Sequence, residues 1–227
     1  MVAADENDLD YRDSLSYRNI HIEYGELPIE RIQRATEMIE RPRETPKMDN
    51  AAFQDLIRTI RRIQTQNEYA IKELASTVVL ATERILDERL VRCYSQLWHR
   101  ATAIPLLPEL ADVASLLSLP RPKPDFVFGF SRPAFTTRQI AMMMHLVDES
   151  RHSYVMPNQD ARFPFLAIEF KSQANKGTHY VATNQVAGAG AIALNGQLEL
   201  MRRAYGVTAV DASALCFFSI TIDQAYA

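Results

Sequence analysis

The chain has 227 residues, of which 47% are hydrophobic, and a formal net charge of −3. This length suits one large domain, and no apolar run approaches the ~20 residues that a membrane-spanning helix needs. The N-terminal stretch MVAADENDLD lacks the basic and apolar regions of a secretory signal. Cys93 and Cys216 resemble neither a disulfide framework nor a zinc site. We therefore expect an intracellular protein, nuclear or cytoplasmic, with buried free thiols and no membrane partner.

Charge is unevenly distributed along the sequence. Residues 1–50 contain 12 acidic against 7 basic side chains, whereas residues 121–176 contain 8 basic against 5 acidic. A locally basic segment in an acidic protein is compatible with a phosphate-bearing partner. The net charge of the whole chain does not indicate nucleic-acid binding.

The front part of the chain is predicted to be mainly helical. Residues 1–19 have the polar character of a disordered arm, and the alternation in NIHIEY predicts a short strand. Apolar residues at helical spacing then predict a helix over LPIERIQRATEMIERP and a second from Asp49 to Ile63. A third helix is predicted from about Glu68 to His99.

Strands and helices alternate in the rest of the chain. Three prolines in LPRPKPDF end the helical part, and DFVFGF then predicts a strand. TTRQIAMMMHLVDES predicts a helix with methionines in the core, and FPFLAIEFKS predicts the next strand. A small-residue helix ending near Gly206 follows, in which Gly188 and Gly190 would permit close packing on a sheet. ALCFFSITI is the last strand, so the class is α/β or α+β.

The two central strands each have one large apolar face and one face that mixes charged with small residues. Alternate residues of a strand share a face. The mixed faces hold Asp125, Val127 and Gly129 in the first strand, and Phe165, Ala167, Glu169 and Lys171 in the second. If the strands pair with these faces aligned, two carboxylates and a lysine converge in a recess.

Such a cluster fits a divalent-metal site. Mg²⁺ prefers oxygen ligands and keeps several waters, so Asp125 and Glu169 would bind Mg²⁺ or Mn²⁺, with the carbonyl of Phe170 as a third ligand. The metal would activate a water for attack on phosphorus. Lys171, on the same face, would orient that water or offset charge that develops on the phosphate.

PKPDF and LAIEFKS resemble the two halves of the PD-(D/E)XK nuclease signature. The wider stretch "PKPDFVFGF … FPFLAIEFKS … NQVAGAGAIAL" is similar to a set of uncharacterised fungal proteins with PD-(D/E)XK-like domains. The resemblance implies a restriction-endonuclease-like mixed sheet flanked by helices, with an extra N-terminal helical region. It also implies that Gln185, on the helix after the second motif, faces the site. An acid on the preceding helix would complete the cluster, with Glu68 as the first choice and Glu73 as the second.

We therefore expect a nuclease-like domain that hydrolyses DNA or RNA through a metal-activated water. The alternatives are a catalytically inactive module that binds nucleic acid or a protein partner, as a regulator or effector, and an interaction domain that works through its helical part. The expected organisation is an arm (1–19), a helical front part (20–115) packed on the core, and the core itself (116–227), together one domain. Truncation at the C-terminal end and the oligomeric state, a homodimer included, stay open.

Overall fold

A four-stranded mixed sheet organises the chain in the computed structural model. The structure describes residues 10–22, 28–41, 50–63, 87–117, 119–171, 178–206 and 215–222. The helices are α1 (Asp10–Ser16), α2 (Ile29–Glu40), α3 (Asn50–Ile63), α4 (Thr137–Met143) and α5 (His179–Tyr205), with 3₁₀ turns at Pro108–Leu116 and Arg132–Ala134. The strands are β1 (Leu90–Tyr94), β2 (Phe126–Phe130), β3 (Arg162–Phe170) and β4 (Phe218–Ile222).

The strands lie in the order β1-β2-β3-β4. β2 pairs antiparallel with both β1 and β3, and β3 pairs parallel with β4. A parallel pair needs a crossover connection, which α5 provides between β3 and β4. The protein is therefore a mixed α/β structure in which helices flank a mixed sheet, as the sequence predicts at this level of description.

The two faces of the sheet differ in the way the alternation predicts. One face carries a buried aromatic cluster centred on Phe126, Phe128, Ile168 and Phe170. On the other face, Val127 and Ala167 pack against Ala189 of α5. A register shift between Phe128 and Phe130 interrupts the pairing of β2 with β3. Phe165, predicted on the face of Glu169, packs against the aromatic cluster and also lines a cavity together with residues of α5.

Small residues bring α5 close to its neighbours. A Cβ atom at Gly190 would lie 3.0 Å from the ring of Phe217, beside the start of β4, and Ala182 and Ala193 are buried. Gly188 has a different neighbour from the predicted one: it faces the Tyr11 hydroxyl of α1, 2.6 Å from the position of an added Cβ. The small-residue surface of α5 thus contacts both the sheet and α1.

α1 is attached to α5 by buried and polar contacts. Tyr11 and Leu15 are almost fully buried. The guanidinium of Arg12 lies 4.0 Å from the ring centre of Tyr180, and its Nε donates to Asn184 Oδ1 at 2.9 Å. The prediction of a disordered arm over 1–19 is therefore wrong for residues 10–16, because an apolar pair in a short polar segment gives that segment a packed face.

Other predicted elements differ from the structure in type or in length. α2 and α3 lie where helices were predicted, but residues 90–94 form β1 instead of the end of a long helix, because they pair with β2. The described part of NIHIEY, residues 19–22, contains no strand. α4 stops at Met143, so Met142 and Met144 are 62% and 73% exposed rather than in the core.

An apolar cavity of about 830 Å³ lies beside the N-terminal half of β3 and the C-terminal half of α5, with Phe163, Phe165, Met143 and Met201 in its lining. None of the helices within the described ranges is long and apolar enough to cross a bilayer.

Candidate active site

The polar cluster predicted from the sequence lies where β2 begins and β3 ends. The register pairs Phe126 with Ile168 and Val127 with Ala167, so the same register continued by one residue places Asp125 opposite Glu169. Both residues are nearly inaccessible to solvent, at 7% and 3% exposure. They share the face of Val127 and Ala167, which packs against α5.

Backbone and side-chain hydrogen bonds connect the two carboxylates. The amide of Asp125 donates to Glu169 Oε2 at 3.2 Å, and the amide of Phe170 donates to Asp125 Oδ2 at 2.9 Å. Each carboxylate therefore receives a donor from the other strand. These bonds fix the two groups at the junction of β2 and β3.

Lys171 supplies the positive charge of the cluster. Its Nζ donates to Glu169 Oε1 at 3.0 Å, and the side chains of Lys171 and Glu169 are 12% and 4% exposed. Burial and the charge of Asp125 raise the pKa of Glu169 to about 7, although Lys171 and the Asp125 amide favour the ionised form. A strongly raised carboxyl pKa in a buried charged cluster is typical of functional sites.

Gln185 lies over the same layer of the structure. α5 runs antiparallel to β3 and β4, because His179 at its start contacts Thr221 late in β4 and Gln197 bonds to Cys216 just before β4. Gln185 lies one helical turn before Ala189, and Glu169 lies two residues after Ala167. These two distances are similar and the helix and strand run in opposite directions, so Gln185 is level with Glu169. Gln185 Oε1 is buried and has no hydrogen-bond partner within the described segments.

The donor set fits a small hard cation in part. Two carboxylates converge, and an orphaned amide oxygen in the adjoining layer suits a water ligand. Among the described residues, no group of three or more His, Cys, Asp or Glu side chains could hold a metal ion. Glu68 and Glu73, the candidates for a further acid, lie outside the described residues.

Three polar residues in this layer were not predicted as functional. His179 is exposed, and its Nδ1 lies 3.3 Å from Thr221 Oγ1. Glu199, also on α5, is buried. Thr221 is the third of these residues. The sequence places Phe217, Ser219 and Thr221 on one face of β4, but only the packing of α5 shows that this face is the one turned towards the helix.

The fold and this cluster define the class: a mixed α/β domain that buries two carboxylates and a lysine at the junction of two adjacent strands. A family model described as "Domain of unknown function (DUF7924)" matches residues 55–227, and the chain belongs to this family. No curated protein and no solved structure matches the chain.

Proposed function

We propose that the protein is a Mg²⁺- or Mn²⁺-dependent nuclease that hydrolyses phosphodiester bonds of DNA or RNA. The observation that carries this proposal is the buried, hydrogen-bonded cluster of Asp125, Glu169 and Lys171 on neighbouring strands. The PD-(D/E)XK resemblance of PKPDF and LAIEFKS supports it, because those motifs contribute the same three side chains. A restriction-endonuclease-like arrangement of the mixed sheet is part of the proposal.

The cation would be held by Asp125, Glu169 and the Phe170 carbonyl. In an extended strand the N–H and C=O of one residue point to the same side. The Phe170 amide bonds to Asp125, so its carbonyl is also directed towards that side. When bound, the cation would polarise a phosphoryl oxygen and lower the pKa of a water ligand.

The protein's own groups would position the substrate and its attacking water. Lys171 is held by Glu169 on the shared face, where its ammonium group would donate to a phosphate oxygen that gains charge in the transition state. The buried Gln185 Oε1 would accept a hydrogen bond from the attacking water. The raised pKa of Glu169 means that cation binding near neutral pH displaces a proton from this carboxyl group.

Exposed basic residues adjoin the cluster on the chain. Arg121 and Lys123 precede Asp125 by four and two residues, and both are exposed. Basic side chains beside a carboxylate pair favour a polyanion over a neutral substrate, because they offset the repulsion between carboxylates and phosphates.

A second candidate function is a catalytically inactive module that binds nucleic acid or a protein partner. The observation that favours it is the mutual satisfaction of the cluster: Glu169 is bonded by both Lys171 and the Asp125 amide. A cluster that closes on itself in this way resembles a structural network. Titration calorimetry with Mn²⁺ separates the candidates, because only the nuclease requires a divalent-cation site.

The nuclease proposal is tested by incubating the purified full chain with plasmid DNA, single-stranded DNA and RNA in Mg²⁺ or Mn²⁺. We expect cleavage of at least one substrate, and Lys171→Ala should slow it by roughly 100- to 1,000-fold, the range for loss of one electrostatic donor. Arg138→Ala is the control, since it removes an exposed basic side chain of α4 that has no part in the proposal, and it should cut at close to the wild-type rate.

Circular dichroism of each variant checks that it folds. Equal cleavage by wild type and Lys171→Ala would refute the assigned role of Lys171. A wild-type protein that neither cuts nor binds Mn²⁺ would refute the nuclease and leave the binding module.

A further inference from the structure

A histidine–threonine pair borders the carboxylate cluster on the side away from β2. His179 is the first residue of α5, and Thr221 lies in β4. His179 Nδ1 and Thr221 Oγ1 are 3.3 Å apart. The contact joins the start of the helix to the fourth strand of the sheet.

Sheet register places this pair next to Glu169. In the parallel β3–β4 pair, Thr221 is the Cα partner of Glu169, and adjacent strands lie about 4.8 Å apart. Register partners point to the same face of a sheet, and the contact with His179 shows that Thr221 faces α5. Because β3 lies between β2 and β4, Asp125 and Thr221 flank Glu169 on opposite sides.

The pair differs from the cluster in its exposure. Glu169 is buried and Lys171 nearly so, whereas His179 is exposed and Thr221 is half-buried. The exposure of the polar side chains therefore increases from Glu169 towards β4 and the start of α5. A substrate that reaches the carboxylates across β4 would meet the imidazole at this edge.

The contact with Thr221 also orients the two ring nitrogens. Nδ1 faces the hydroxyl, which leaves Nε2 as the outer nitrogen. A hydroxyl that donates to Nδ1 fixes the neutral ring with its proton on Nε2, and a protonated ring donates there as well. A neutral ring with its proton on Nδ1 would instead present an acceptor at Nε2, but an anionic oxygen there favours the two states in which Nε2 is a donor.

We propose that His179, oriented by Thr221, contacts a backbone phosphate of a nucleic-acid strand adjacent to the phosphate at Asp125 and Glu169. The substrate strand would then run across the sheet from Asp125, beside β2, past Glu169 of β3 to Thr221 of β4. This inference rests on the proposed function, because it names a second contact for the same substrate. It adds a subsite to the cluster and gives His179 no part in bond breaking.

The test measures binding without cleavage. Fluorescence anisotropy with a labelled 12-nucleotide single-stranded DNA is recorded in Ca²⁺ and in EDTA for wild type, His179→Ala, Thr221→Val and the control His99→Ala. His179→Ala should weaken binding about tenfold, the effect of losing one charge-assisted hydrogen bond. Thr221→Val should weaken it about threefold, because the ring keeps its donor but loses its orientation. His99→Ala should bind within twofold of wild type.

A second readout follows the ring itself. Long-range ¹H–¹⁵N spectra of the imidazoles should show the Nε2 signal of His179 moving when the oligonucleotide is added, and Thr221→Ser, which keeps the hydroxyl, should behave as wild type. Wild-type affinity in His179→Ala, an unmoved Nε2 signal, or a wild-type protein that does not bind the oligonucleotide would each overturn the inference. Oligonucleotide binding that depends on His179 in a protein that cannot cut would refute the nuclease and keep the phosphate contact.

Discussion

Two buried glutamates lie at opposite ends of the layer between the sheet and α5, and they differ in the charged groups beside them. Glu169 is at the end of β3 beside another carboxylate, and Glu199 is near the end of α5 beside two arginines. Their side chains are 4% and 8% exposed. The exposed fractions are similar, but the carboxyl of Glu169 lies deeper in the protein, so depth of burial and charged neighbours together separate the two glutamates.

Glu199 forms ion pairs with two arginines. Arg202 Nη2 lies 2.8 Å from Oε2 and Arg203 Nε lies 2.5 Å from Oε1. Burial opposes ionisation, but the hydrogen bonds from Arg203 and Arg202 hold the pKa of Glu199 below its ordinary value. Arg203 also donates to the carbonyl of His145 at 2.7 Å, so this glutamate anchors α5 to the loop after α4.

Glu169 forms an ion pair with one lysine and lies beside a second carboxylate. Burial disfavours its ionised form and Asp125 repels it, while Lys171, the cation bonded to it, favours ionisation; the net result is a pKa raised to about 7. A structural carboxylate is expected to be fully compensated, as Glu199 is. A carboxylate left under-compensated at a strand end is the arrangement that an added cation would relieve.

The surroundings of the two ends agree with this contrast. The apolar cavity of about 830 Å³ adjoins the Glu199 end, where Arg203 contributes to its lining. The Glu169 end opens instead onto His179 and Thr221. Within the part of the chain that the structure describes, the polar groups on which the proposed function depends therefore lie at the end of β3 that carries Glu169.

The largest expected effect is on the pH dependence of stability. The pKa of Glu169 is about 7 in the folded protein against an ordinary value of 4.5, so the folded state binds more protons than the unfolded state between these values. The free energy of unfolding therefore falls as pH rises through this window, by about 3 kcal/mol in total. Urea unfolding at intervals from pH 4 to pH 8, without divalent cations, measures this change.

Glu169→Gln is the control for this prediction. An amide does not titrate, so the decline between pH 4.5 and pH 7 should disappear, whatever the variant's stability at one pH. The difference between the wild-type and Glu169→Gln free energies of unfolding isolates the contribution of Glu169. If this difference rose with pH over the window, the raised pKa would be contradicted. That result would also remove the electrostatic difference between Glu169 and Glu199.

The sequence predicted the Glu169 end better than the Glu199 end, for a physical reason. Strand alternation has a period of two, so Asp125, Glu169 and Lys171 could be assigned to faces before any partner was known. The pairing of β2 with β3 then needed one assumption, that large apolar faces align. The functional roles of these residues, and of Gln185, remain predictions.

The other features depend on contacts between distant segments. β1 reads as helical because LVRCY is short and continues an apolar pattern, and only pairing with β2 identifies it as a strand. Glu199 has ordinary helical surroundings in sequence, and its burial depends on how α5 packs. His179 gains its neighbour from β4, 42 residues away. Local patterns contain no information on such neighbours.

The second effect in size is the loss of the compensated glutamate. Glu199→Gln leaves Arg202 and Arg203 without their anionic partner and should lower the free energy of unfolding at pH 7 by about 2 kcal/mol, as for loss of a hydrogen bond to a charged group. Because the pKa of Glu199 is lowered on folding, its contribution is present above the ordinary value of 4.5 and is lost as pH falls through the folded value.

Glu149→Gln is the matched control, because Glu149 is exposed and should change stability by less than about 0.5 kcal/mol. Urea unfolding of both variants at pH 7 gives the comparison. If Glu199→Gln were as stable as Glu149→Gln, the two buried glutamates would no longer differ in structural importance.

The smallest expected effect separates the two arginines of Glu199. Arg202 is 53% exposed and its ion pair is accessible to solvent, so Arg202→Ala should cost roughly 0.5 kcal/mol. Arg203→Ala should cost about 1 kcal/mol more, because that side chain also bonds the His145 carbonyl. Thermal or urea unfolding in low and high salt distinguishes them, since screening should reduce the Arg202 effect more. Equal losses in both variants would mean that Glu199 is compensated by the summed charge of the two arginines and that the attachment to the loop after α4 contributes little.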